Sequence, residues 1–118
     1  MLFLEYPPCS TCKRARAWLE DRGCPFEARN IKTENPTYEE LKTWYAASGL
    51  PLKRFFNTSG LAYRALNLKD RLQQLSEEEQ LQLLASDGML VKRPLLICED
   101  RVLTGFREAD WAKALANK

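Results

Sequence analysis

Two cysteines three positions apart, Cys9 and Cys12, stand where the chain changes its pattern. Before them, Met1–Leu4 is an apolar run, and the segment as far as Tyr6 reads as a strand closed by Pro7-Pro8. After them, Ser10 to about Arg22 reads as a helix. Ala15, Trp18, Leu19 and Arg22 keep its 3, 4, 7 spacing and Gly23 stops it. The pair therefore sits between a strand and a helix N-terminus. The rest of the chain must supply the partners of that strand and the cover for that helix.

The remaining pattern does so in three stretches. Phe26–Ile31 reads as a second strand, with Phe26, Ala28 and Asn30 on one face and Glu27 and Arg29 on the other. Asn35-Pro36-Thr37 opens a helix. Thr37 and Glu40 fit a capping box, Tyr38, Leu41, Trp44 and Tyr45 form its apolar stripe, and Gly49 and Pro51 close it. Residues 52–86 stay helical but broken, punctuated at Asn57-Thr58-Ser59-Gly60. A second capping box, Ser76 with Glu79, precedes Leu81, Leu83 and Leu84, and Asp87-Gly88 ends the stretch. Arg93–Cys98 is a strand introduced by Pro94, Glu99-Asp100 a tight turn, and residues 101–103 a returning strand. Glu108–Ala116 reads as a terminal helix. The order is β-α-β, a helical middle, then β-β-α, in a length of 118 residues that suits one domain.

Composition narrows the chemistry. The chain has no histidine, which removes imidazole base catalysis, Cys–His pairs and His-containing zinc sites. Eighteen Lys+Arg against 16 Asp+Glu give +2, too little for an electrostatic footprint on nucleic acid. The start is apolar but short, contains Glu5 and meets two prolines at once, unlike a secretion signal. No apolar run approaches the roughly 20 residues of a membrane span. The expected compartment is the cytosol, where thiols are kept reduced. There, one Cys-x-x-Cys with only Cys24 and Cys98 elsewhere points to redox chemistry rather than to a staple or a metal site. Cys24 and Cys98 read as structural, and Trp18, Trp44 and Trp111 as core.

The placement of Cys9 supplies a mechanism. Unpartnered N–H groups and the macrodipole at a helix start favour negative charge, so they favour the thiolate, which is the nucleophile. Cys12 lies one turn on and can attack a mixed disulfide or sulfenate at Cys9, closing an internal disulfide. Lys13, Arg14 and Arg16 are either a solvated helix face or cations set beside an anion. Ser10 and Thr11, between the cysteines, are candidates for substrate contact, together with Lys13 and Pro94.

Tyr6-Pro7-Pro8-Cys9-Ser10-Thr11-Cys12-Lys13, Arg29-Asn30-Ile31, Leu90-Val91-Lys92-Arg93-Pro94 and Leu103-Thr104-Gly105-Phe106 together resemble the thioredoxin-like arsenate reductase and Spx family, over essentially the whole chain. The resemblance implies an α/β, thioredoxin-like (glutaredoxin-like) mixed sheet flanked by helices. Residues 1–34 and 89–118 would form the core of a single domain, and about 35–88 a helical insertion between the second strand and the Arg-Pro strand. It implies a cis Pro94 opposite the cysteine helix and an Arg93 guanidinium that binds anionic substrates near Cys9. The implied activity is thiol–disulfide exchange, with Cys9 as nucleophile, Cys12 as resolver and no bound cofactor or metal. Glutathione or thioredoxin would serve as reductant, and the substrate would be a glutathione or protein thiol. Two alternatives come with the family: a redox-sensing regulator that binds the RNA polymerase α subunit, and arsenate reduction. For arsenate, the family's second and third anion-binding arginines fall near Asn57 and Phe106, with Arg54, Arg64 and Arg107 close in sequence.

Overall fold

A computed structural model describes residues 1–116. The first strand, β1 (Leu2–Glu5), lies inside a four-stranded sheet of order β2-β1-β3-β4. It pairs parallel with β2 (Glu27–Asn30) and antiparallel with β3 (Leu95–Ile97), which in turn pairs antiparallel with β4 (Val102–Thr104). The parallel β1–β2 pair needs a crossover, and α1 (Ser10–Asp21) provides it. This is the mixed thioredoxin-like sheet expected above.

Alternation along the central strands assigns the two faces. Phe3 and Leu96 turn to one side, where Ala15, Trp18 and Leu19 of α1 and Trp111 of α6 (Glu108–Leu115) close a compact cluster. Leu4, Leu95 and Val102 turn to the other, where a larger cluster gathers Leu41 and Trp44 of α2 (Tyr38–Ser48), Phe55, Tyr63, Leu68 and Leu84. Those last residues come from a chain of short pieces. A 3-10 turn at Leu52–Phe55 is followed by α3 (Leu61–Ala65), α4 (Leu68–Arg71), a 3-10 turn at Leu72–Gln74 and α5 (Glu77–Ser86). Both capping boxes form, with Thr37 and Ser76 accepting from the N–H of Glu40 and Glu79. Asn67 breaks the middle stretch by taking φ +53°, a conformation asparagine tolerates better than most residues.

Two expectations need correction. The second strand is shorter than Phe26–Ile31, and its residues are exposed or half-buried, with Ala28 facing solvent. It is an edge strand held by β1 alone, so it carries no core face for alternation to mark. The Arg-Pro strand begins at Leu95, because Arg93 and Pro94 form the turn before it. Cys24 is half-buried at the border of the aromatic cluster, whereas Cys98 is buried within it.

Candidate redox site

Strand β1 delivers Tyr6, and a two-proline turn brings the chain to Cys9, whose N–H donates to the Tyr6 carbonyl at 2.9 Å. Cys9 is the N-cap of α1 in extended conformation, and no side chain caps the helix. The N–H groups of Thr11 and Cys12 in the first turn instead act on its sulfur. Burial works against the charge, but the N–H and thiol of Cys12, the N–H of Thr11 and the Arg93 guanidinium together draw the Cys9 pKa below its ordinary value. Cys12 is fully buried and goes the other way. Desolvation, helped by the negative Cys9 beside it, pushes its pKa up to about 12, although the Tyr6 N–H donates to its sulfur at 3.4 Å. Within the motif the thiolate is therefore favoured at Cys9 by the helix start and disfavoured at Cys12 by burial.

The Arg93–Pro94 peptide bond is cis, and the turn sets Arg93 across from the cysteines. Three contacts hold its guanidinium. It lies over the Tyr6 ring at 5.1 Å, donates to the Met89 carbonyl at 3.2 Å, and donates to the Asn57 amide oxygen from both terminal nitrogens at 3.2 Å. The last contact uses the amide orientation that satisfies both partners. Pro94 itself is buried, and its carbonyl accepts from the N–H of Gly105 at 2.8 Å. Gly105 takes φ +69°, and its carbonyl accepts from the Trp111 indole N–H. A chain of hydrogen bonds thus ties the Arg-Pro turn to the aromatic cluster behind α1.

Between these walls lies a cleft of about 830 Å³ that reaches Cys9, Thr11 and Arg93. The other candidates sit elsewhere. Ser10 and Lys13 are exposed and outside the cleft lining, and Cys12 and Pro94 are buried and also outside it. The basic run splits by helical rotation, about 100° per residue. Arg14 lines the cleft and donates to Thr11, Lys13 faces water, and Arg16 pairs with the buried Glu5. The rest of the positive lining comes from Arg54, Lys92 and Arg107, with Asn57 beside them. They were missed as a set because they lie on three separate segments. Only the proximity of Arg54 and Arg107 to the family's arginine positions hinted at two of them. Among the described residues no group of histidine, cysteine, aspartate or glutamate side chains could hold a metal. No helix there is long and apolar enough to cross a membrane.

The ArsC family pattern matches residues 4–114, from the middle of β1 into α6. The chain belongs to the ArsC family. This ArsC-family chain is 53% identical over 108 residues to the uncharacterized protein YusI of Bacillus subtilis (strain 168), covering 92% of each chain. It is 33% identical over 102 residues to the global transcriptional regulator Spx of Enterococcus faecalis (strain ATCC 700802 / V583), covering 86% of this chain and 76% of that one. In structure it is similar to an ArsC-family-related protein from Bacteroides fragilis, with a TM-score of 0.93 and 52% identity over 95% of this chain and 94% of that one.

Proposed function

We propose that this ArsC-family chain is a cytosolic thiol–disulfide redox protein. One observation carries the reading: a thiolate favoured at Cys9, open to a cleft and facing Arg93, in contact with a protonated, buried Cys12. The Cys9 thiolate attacks a substrate disulfide, forming a Cys9–substrate disulfide and expelling one substrate thiolate. Attack consumes the negative charge that helps keep Cys12 protonated, so the Cys12 pKa falls at the moment its thiolate is needed. Cys12 loses its proton to the departing thiolate and attacks the Cys9 sulfur. The Cys9–Cys12 disulfide forms and the second substrate thiol leaves. The substrate gains two electrons and the protein loses two, to be restored by a thiol reductant such as glutathione or thioredoxin. Arg93, held by Asn57 and Met89, orients an anionic glutathione or protein-thiol substrate.

Exchange rates of the wild type, Cys9→Ser and Cys12→Ser test this. Cys9→Ser abolishes exchange, and Cys12→Ser stalls as a mixed disulfide visible by mass. Equal rates in all three would sink the reading. Turnover of arsenate with glutathione or thioredoxin would replace it by arsenate reduction.

The likeness to Spx supports a second reading, in which the same disulfide switches a regulator that binds RNA polymerase through its α subunit. A pull-down of that subunit under reducing and oxidising conditions separates the two. Capture in one redox state favours the regulator, and capture in neither leaves the oxidoreductase.

A further inference from the structure

The cleft carries more positive charge than one reacting sulfur needs. Arg14, Arg54, Lys92 and Arg107 line it in addition to Arg93, against a single carboxylate, Asp87. Among the described residues none of these four is in an ion pair, although Arg16 and Arg29 elsewhere are each paired with a glutamate. They come from α1, from the 3-10 turn at Leu52–Phe55, from the segment before Pro94 and from the residue capping α6. Cations from four elements around one opening suit a segment of chain that carries several carboxylates.

Two observations point to a polypeptide. Leu61, at the rim, is 81% exposed, the most exposed of the large apolar side chains. A second cleft of about 360 Å³ shares Arg54, Thr104 and Arg107 with the first, adds Arg101 beside Asp100 and Asp110, and continues along β4. Where the two meet, the Thr104 hydroxyl is buried without a hydrogen-bond partner. A groove that runs past the thiol, with unpaired cations along it and an apolar foothold at its edge, suits an extended acidic segment.

We propose that the protein substrate presents its cysteine within a carboxylate-rich segment, read by Arg54, Lys92 and Arg107, with Leu61 contacting an apolar residue beside it. This rests on the redox reading above, but its test does not. Three labelled decapeptides, with acidic, neutral or basic residues flanking a serine in place of cysteine, are titrated against the reduced protein by fluorescence anisotropy. No exchange can occur, so failure of the redox chemistry leaves the result intact.

At low salt the acidic peptide binds at least about tenfold tighter than the neutral one, equivalent to ~1.4 kcal/mol. The basic peptide binds most weakly, and the preference shrinks as salt rises. The double variant Arg54→Gln/Arg107→Gln loses most of the preference. Lys69→Gln, which removes one exposed cation outside both clefts, keeps it. Equal binding of acidic and neutral peptides, or an equal loss of preference in Lys69→Gln, overturns the proposal. So does displacement of the acidic peptide by oxidised glutathione at equimolar concentration, which would assign the cations to a small dianionic disulfide.

Discussion

The two faces of the sheet are built differently. On the α1 face, Phe3, Trp18, Phe106 and Trp111 meet edge-to-face with centroids 4.9–6.4 Å apart, a small set of rigid rings. On the other face, leucines from α2, α4 and α5 and from the short turns between fill a wider space. The rings sit directly beneath the cysteine helix and, through Gly105, beneath the Arg-Pro turn. The leucine face contributes the opposite wall of the cleft, with Arg54, Asn57 and the rim at Leu61. The cysteine helix thus rests on the stiff side, and the approach to Cys9 is shaped by the side assembled from many short pieces.

The strongest test of that division is Trp111→Ala. Trp111 is 1% exposed and touches three aromatic rings, so its removal costs about 3–5 kcal/mol in urea unfolding. It also frees the Gly105 carbonyl, so the rate at which Cys9 is alkylated at neutral pH falls with it. A stability loss with unchanged alkylation would show that the aromatic cluster does not position the thiolate.

Gly88→Ala attacks the seam between the sheet and the leucine side. A Cβ there would lie 1.9 Å from the Ile31 carbonyl oxygen, a backbone atom just past β2 that cannot swing aside. The expected cost is about 1–3 kcal/mol, read as a lower denaturant midpoint. Cys9 reactivity is retained, since no contact of the thiol is touched.

The same seam carries an ion pair. Arg29 of β2 donates to both oxygens of Glu40 in α2, at 2.7 and 2.9 Å, and this pair, chiefly, holds the Glu40 carboxyl at about 2 instead of 4.5. A depressed carboxyl contributes stability above its unfolded value and loses it as pH falls. The loss therefore runs from about pH 4.5 down to about 2. Because the pair is partly exposed, solvent screening reduces the gain to about 1 kcal/mol. Glu40→Gln should remove that acid limb from the pH–stability profile, and an unchanged limb would refute the pairing.

These contacts show what could be read in the chain beforehand. Both capping boxes were legible because each is a local exchange between residues three apart, and the cysteine pair because strand, turn and helix are contiguous around it. The faces of β2 were misread because alternation reports burial, and an edge strand has little. The cations of the cleft were illegible as a group because Arg54, Lys92 and Arg107 are brought together only by folding. Lys13, adjacent to Cys12 in sequence, is turned away by one residue's rotation.

The smallest effect is the most telling for the division between the faces. Asn57 belongs to the leucine side, yet its amide oxygen accepts both terminal nitrogens of Arg93, whose charge favours the Cys9 thiolate. Asn57→Ala removes a hydrogen bond to a charged group and leaves Arg93 with the Met89 carbonyl and the Tyr6 ring, at a cost of about 1 kcal/mol or somewhat more. With the guanidinium less firmly held, Arg93 stabilises the anion less and the Cys9 pKa rises toward its ordinary value. The helix N–H groups and Cys12 remain, so the rise is only partial. A pH titration of thiolate ultraviolet absorbance on Asn57→Ala, beside the wild type and Arg93→Gln, reads it directly. If Asn57→Ala lies between the other two, the leucine side reaches the sulfur through one arginine. If it coincides with the wild type, the thiolate is governed by the α1 side alone.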